Sequence, residues 1–263
     1  MIFSFLGKGG VGKTTISSAL ALELSSHGRV ALLSMDAIPM THEIIREKVN
    51  NLDLYEYTEK DAQIEWKEKY GEEVYSLISS FFDLDRSIID HISRAPGIAD
   101  EFMFAKLLDL KDNYDYIVWD TAASSSTMYL LMLEREFYEH ISNDIRFYLS
   151  IKDTVSKIMR KEANPIEILN KWKKLAQDVW DILSSDTLYF IVKTDDDLSY
   201  YQGDIIEKDL NSLGLTVKSH ILNRSKGKYD APIKIPEFSG SARDIVEFTR
   251  PFIRQILNDI LNG

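Results

Sequence analysis

The segment Gly7-Lys8-Gly9-Gly10-Val11-Gly12-Lys13-Thr14-Thr15 constrains this chain more than any other feature. It meets the Walker A pattern, follows the apolar run at residues 2–6 and precedes a helical run through Ile16, Leu20, Leu22 and Leu24, so the motif has the strand-loop-helix setting it requires. Gly7, Gly9, Gly10 and Gly12 let successive backbone amides, Val11's among them, turn inward on phosphate oxygens, and the helix opening at Lys13 adds its positive end. Lys13 supplies a point charge for the outer phosphates, Thr14 and Thr15 begin the helix, and the Thr14 hydroxyl is suited to Mg²⁺. The ligand implied is a nucleoside triphosphate with magnesium. A second lysine, Lys8, stands five residues before Lys13. Residue chemistry alone leaves open whether it reaches a phosphate or is a solvated surface lysine.

The rest of the chain has to supply a sheet behind that loop. Short β-branched and aromatic runs at 2–6, 30–34, 116–119, 188–193 and 217–222 alternate with segments of helical spacing, the signature of a doubly wound, mainly parallel α/β sheet of P-loop NTPase topology. Residues 52–57 alternate well enough for an edge strand, where Asp53 and Glu56 are tolerated. Two longer intervals, about 41–112 and 134–185, carry apolar residues in steps of three and four and read as helical inserts, the second divided by a helix start at Pro165. The expectation is one domain over residues 1–263, with a helical insert subdomain and no internal repeat.

Composition removes several classes of function. With no cysteine, disulfides, thiolate metal sites and cysteine nucleophiles are excluded, which fits a cytoplasmic protein. No signal-like N-terminus is present, and no stretch approaches the roughly 18 apolar residues of a membrane span, so no integral membrane segment is expected. A formal net charge of −11 opposes non-specific attraction to DNA, and no nucleic-acid partner is expected. The basic stretch from Lys152 to Lys174 reads as a solvated helix face.

The core Lys8-Gly-Gly-Val-Gly-Lys-Thr-Thr15 resembles the deviant-Walker ATPases, the class of MinD, ParA, the nitrogenase iron protein and ArsA. That resemblance implies ATP and ADP as ligands and gives Lys8 the role of a lysine finger, crossing to the partner's ATP in a face-to-face homodimer. Three further segments are similar to the branch of ArsA and the tail-anchored-protein-targeting ATPases. These are Pro96-Gly97-Ile98-Ala99-Asp100-Glu101, the run Tyr114 to Ala122 followed by Thr127 and the leucines near 130–133, and the pair Ile221-Leu222-Asn223-Arg224 and Ile235-Pro236-Glu237. By that resemblance Asn223 and Pro236 lie against the adenine.

Asp120 ends an apolar strand at the carboxyl edge of the sheet, where open α/β folds bind ligands, and takes the place of the Walker B carboxylate on Mg²⁺. Asp36 stands likewise after 30–34; the resemblance implies that it orients the attacking water and lies near the metal. Against the branch's pattern, the first switch reads Asp36-Ala37-Ile38-Pro39 and the second Asp120-Thr-Ala-Ala-Ser-Ser-Ser-Thr127, each without its histidine. The missing Cys-x-x-Cys removes the zinc that joins many family dimers, and the missing cysteines argue against an arsenite-stimulated pump subunit.

The resemblance therefore implies an ATP-hydrolysing homodimeric switch whose helical inserts receive and release a membrane-protein client through an apolar helix; Met103, Met128, Met132 and Met159 are candidates for an adaptable lining. The alternative is a positioning ATPase like MinD or ParA acting at a membrane or nucleoid surface. Its support is the C-terminal stripe of Ile245, Phe248, Phe252, Ile256 and Ile260, which suits lipid or ordinary packing on the sheet, with Pro251 expected to kink or restart that helix.

Overall fold

A computed structural model of the chain describes residues 1–38, 40–80, 82–121, 131–132 and 165–261. Most of the second switch, the residues at 133–164, and Met128 and Met159 lie outside the described residues, as do Pro39 and Phe81. In chain order the elements are β1 (Ile2–Leu6), α1 (Lys13–Leu24), β2 (Val30–Met35), α2 (Thr41–Ile44), β3 (Leu52–Tyr57), α3 (Glu59–Ser79), α4 (Ile88–Ile92), α5 (Ile98–Lys111), β4 (Tyr116–Asp120), α6 (Pro165–Asp181), β5 (Thr187–Thr194), α7 (Asp197–Ser212), β6 (Val217–Ser225), β7 (Ile233–Pro236) and α8 (Ala242–Leu261).

The strands form one seven-stranded sheet in the order β3-β2-β4-β1-β5-β6-β7, and every pairing is parallel. The chain winds outward from β1 through β2 to β3, returns to insert β4 beside β1, and then winds the other way through β5 to β7. That reversal puts a crevice at the carboxyl ends of β1 and β4, where the phosphate loop begins. Residues 52–57 are the expected edge strand, paired with β2. Ile233–Pro236, which takes in Ile235 and Pro236 of the Ile235-Pro236-Glu237 segment, is a strand on the opposite edge. A proline is admissible there because its missing N–H falls at the end of an edge strand.

The described residues group into two compact units. The first, from Met1–Thr58, Asp109–Tyr129 and Leu183–Gly263, contains the sheet. Phe3 and Phe5 of β1 stack on Phe190 of β5 at 6.3 and 5.4 Å, and with Leu32 and Val118 they form the face on which Ile16, Leu20 and Leu24 of α1 pack. Helix α8 covers the same face with Val246, Ile253, Ile256 and Leu257 buried and Phe248, Phe252 and Ile260 packed against them. Four residues of the C-terminal stripe, Phe248, Phe252, Ile256 and Ile260, thus pack on protein. Pro251 neither stops nor restarts α8, which continues through it. Packing on α1, with Arg250 and Arg254 both bonded to Glu23, holds the helix across the missing hydrogen bond.

The second unit, from Glu59–Leu108 and Leu130–Ile182, is helical in its described parts. Helix α6 is described over Pro165–Asp181. Lys106 of α5 reaches Glu65 of α3 at 3.2 Å, and the Trp172 indole of α6 donates to Glu73 of α3 at 3.3 Å. Between α3, α5 and α6 lies a mainly apolar cavity of about 320 Å³, lined by Trp66, Ile98, Phe104, Trp172, Leu175 and Val179 among others.

Candidate functional site

The loop between β1 and α1 is shaped by close approaches that only glycine permits. A Cβ on Gly7 would overlap the Val192 carbonyl of β5. Gly12 caps α1 in the left-handed region at φ 95°, and a Cβ there would overlap the Asn223 amide. Helix α1 starts with no side-chain cap, so its first-turn N–H groups have no side-chain acceptor from the capping position. Thr14 and Thr15 lie in that first turn. These features fit a polyanion, because an uncapped helix N-terminus opens onto the glycine-rich loop.

The floor of the site is buried. Lys13 is 8% exposed, and its ammonium donates to the Gly7 and Lys8 carbonyls at 3.1 and 3.5 Å. Burial pulls its pKa below the ordinary lysine value, and the charges of Asp120 and Asp36 oppose that shift. Asp120 is 7% exposed, and burial raises its carboxyl to about 6 even though Thr14 and Ser17 hydrogen-bond to it and Lys13 is nearby. The Ser17 hydroxyl donates to Asp120 Oδ1 at 3.2 Å, and the Thr121 hydroxyl donates to the Phe5 carbonyl at 2.5 Å, tying the end of β4 to β1. Asp120 stands in register between Phe5 and Ser34, so the ends of β1, β2 and β4 meet at this carboxylate.

The rim is exposed. Asp36 follows β2 with its side chain in solvent, its N–H bonded to the Tyr57 carbonyl at 3.1 Å and its carboxylate accepting the Ile38 N–H at 3.3 Å. The segment is tied again where the Thr41 N–H meets Glu56 of β3 at 2.5 Å. Across the sheet, Lys8, Gly10, Asp195, Asp196, Arg224 and Glu237 border an open cavity at the mouth of the loop. Buried Asn223 donates to the Val11 carbonyl at 2.8 Å, and Pro236 ends β7 opposite Ser225.

Every site residue expected from sequence therefore falls on the loop, its floor or the adjoining carboxyl edge of the sheet. Sequence reasoning missed Ser17, which lies one helical turn beyond Thr14 and so on the same side of α1. It also missed Arg224, which bonds to the Gly10 carbonyl, and the aspartates after β5. Among the described residues, no group of three or more histidine or acidic side chains is arranged to hold a metal ion by itself.

The family model described as anion-transporting ATPase, that of the ArsA ATPases, matches residues 1–230. The chain belongs to the ArsA ATPase family. An Aquifex aeolicus protein assigned by name to the arsenical pump-driving ATPases is 30% identical over 85% of this chain and 79% of its own length. The arsenical pump-driving ATPase of Escherichia coli is 28% identical over 74% of this chain but only 36% of its own length. ATPase GET3 of Komagataella phaffii is 23% identical over 83% of this chain and 71% of its own. As an ArsA-family ATPase the chain binds nucleotide. No helix among the described residues is long and apolar enough to cross a membrane.

Proposed function

We propose that this ArsA-family ATPase is a homodimeric switch that binds ATP with Mg²⁺, hydrolyses it, and uses the difference between ATP and ADP states to bind and release a membrane-protein client through an apolar helix. The observation that carries the reading is the division of the loop site, with a buried Lys13–Asp120 floor and a second lysine, Lys8, at an open mouth. The floor serves the chain's own nucleotide, and the mouth is where a second copy's nucleotide would meet Lys8. Residues 1–263 are read as one P-loop ATPase domain with helical insertions.

Lys13 neutralises the outer phosphates, with the amides of Gly9, Gly10, Val11, Gly12 and the first turn through Thr15 binding their oxygens. Thr14 and, partly through water, Asp120 and Asp36 would hold Mg²⁺, which would supply charge neutralisation to the phosphates. Asp36 orients the attacking water, and its exposure leaves it free to do so as the switch segment closes. Asn223 and Pro236 flank the base. The similarity to ATPase GET3 and the apolar cavity of the helical unit support a client with an apolar helix.

The test measures binding of a labelled apolar-helix peptide to the full chain in ADP and in a non-hydrolysable ATP analogue, with sizing of each complex by light scattering. Binding that differs at least tenfold between the two nucleotides, together with an ATP-favoured dimer, is expected. Equal affinity in both states, or a monomer throughout, overturns the switch. Sedimentation with liposomes that needs ATP but no client would favour a surface-positioning ATPase instead.

A further inference from the structure

We infer that Glu56 is a positioning residue for Asp36, fixing the far end of the first switch segment to the edge of the sheet. The inference rests on the proposed role of Asp36 in orienting water and is independent of the dimer and the client.

An acidic residue on an edge strand is ordinarily a solvent-facing device against wrong pairing, and Glu56 is not one. Its side chain is 6% exposed, although β3 is the edge of the sheet. Register shows where it goes. Leu54 pairs with Leu32 and Leu32 with Val118, a row of the face on which α1 packs; further along the strands Glu56 pairs with Ser34 and Ser34 with Asp120. Side chains alternate across a strand, so this second row lies on the same face as the first. The apolar face therefore ends, at its carboxyl edge, in a polar row of Glu56, Ser34 and the buried Asp120.

The chain that leaves Asp36 returns onto that row. The Thr41 N–H donates to Glu56 Oε1 at 2.5 Å, the His42 N–H donates to Oε2 at 3.3 Å, and His42 Nδ1 pairs with the same oxygen. The hydroxyl of buried Thr41 lies 3.2 Å from that of Ser34. Helix α2 opens at Thr41 with no side-chain cap from Met40, so Glu56 does from another strand what a capping residue does locally. Burial would raise the Glu56 carboxyl, but the bonds from His42 and Thr41 outweigh it and hold the pKa below the ordinary glutamate value. A local serine or aspartate cap would satisfy such amides without burying a charge. It would not tie the helix to the sheet.

The near end of the segment is tied to the next residue of the same strand, where the Asp36 N–H donates to the Tyr57 carbonyl at 3.1 Å. Asp36 and Thr41 are thus held by adjacent residues of β3, one through backbone and one through a side chain. A short segment closed at both ends has few conformations, and releasing one end restores that lost entropy to everything between. With Thr41 released, Asp36 would keep its backbone tie but lose the constraint that limits where its carboxylate can sit beside the Asp120 row. A small misplacement of a group that orients a nucleophile is costly in rate and nearly silent in ligand binding.

The test measures kcat and the Mg·ADP Kd of the full chain in wild type, Glu56→Asp and Glu56→Gln, and kcat of Glu56→Asp combined with Asp36→Asn. Glu56→Asp keeps the charge on a side chain one methylene shorter, and should lower kcat about tenfold with Kd within about threefold of wild type. Glu56→Gln keeps an acceptor for Thr41 while losing the one for His42. It should fall between, at about threefold in kcat, and decides by the same criteria if the shorter variant does not fold. In the Asp36→Asn chain, Glu56→Asp should cost less than about twofold, because nothing is left for it to position. Wild-type kcat in the Glu56 variants, a parallel loss of kcat and ADP affinity, or the full tenfold loss repeated on Asp36→Asn overturns the inference. Wild-type turnover in Asp36→Asn alone would instead reject the role of Asp36, and the inference with it.

Discussion

The floor and the rim of the loop site are built on opposite terms. Asp120 and Lys13 are almost fully buried, each shifted by burial toward its uncharged form, and each is bonded to other groups of the loop or α1. Asp36 and the mouth around Lys8 lie open, with backbone ties at the ends of the Asp36 segment and acids such as Asp196 facing the lysine. On the proposed dimeric reading, the contrast separates what one chain completes from what awaits a second copy. A preorganised floor needs no rearrangement to bind phosphate, whereas the rim can change with the nucleotide.

The largest effect tests that division. Lys8→Ala should lower turnover about 10³-fold, as loss of a charge acting across an interface does, while Mg·ADP affinity stays within about threefold of wild type. Mixing inactive Lys8→Ala with inactive Lys13→Ala chains should restore part of the activity, since one site of the mixed dimer keeps both lysines. No recovery on mixing would place Lys8 on its own chain's nucleotide and erase the distinction. Asp36→Asn should cost about 100-fold in turnover with nucleotide binding retained, the pattern of a group used in the reaction step only. An unchanged rate would take Asp36 out of the mechanism.

The floor was the more legible of the two in sequence. Gly7 to Thr15 announces itself through spacing, and Asp120 through its place at the end of Tyr116-Ile-Val-Trp119. Strands β1 and β3 carry the expected boundaries, and the others differ by one to three residues at their ends. The rim was harder to read because its geometry depends on backbone irregularity. Nothing in the letters around Asn223 and Arg224 signals the one-residue bulge in the pairing of β6 with β7, and arginine is not a residue from which the left-handed backbone of Arg224, at φ 52°, is expected. Ile233–Pro236 was hidden for a related reason: four residues ending in proline carry too little alternation to count as a strand without β6 beside them. Pro251 shows propensity overridden by packing, with α8 continuing through it.

A control at the opposite end of α1 sharpens the comparison by separating stability from the site. Glu23 is 5% exposed and accepts hydrogen bonds from Arg250 at 2.6 Å and Arg254 at 2.9 Å. Burial alone would raise its pKa, but the bonds from Arg254 and Arg250 outweigh that and hold it below the usual glutamate value. Its contribution is therefore present above the ordinary carboxylate range and is lost as pH falls through the depressed value. Glu23→Ala should cost about 2 kcal/mol in denaturant unfolding, less than a fully buried pair because both arginines keep some solvent. Turnover at a permissive temperature should remain near wild type. A matching collapse of activity would mean that α8 and α1 transmit to the loop.

The smallest expected effect is the most telling about the floor, because it runs against the usual direction of a core mutation. Burial lifts the Asp120 carboxyl to about 6, above the ordinary value of 3.8, so the folded chain binds a proton more readily than the unfolded one. The associated stability is fully present below about 3.8 and is lost as pH climbs through about 6, leaving a buried charge in the ligand-free protein at pH 8. Asp120→Asn removes that charge and keeps an oxygen for Ser17. It should therefore raise unfolding stability at pH 8 by roughly 1 kcal/mol, with the gain shrinking toward pH 4, although under the proposed function the variant would lose an anionic magnesium ligand. Such a trade of stability for function is what the proposed metal role of Asp120 implies. A variant less stable than wild type at pH 8 would show that the Asp120 charge is already compensated by Lys13 and the hydroxyls, and that the floor is electrostatically relaxed before nucleotide arrives.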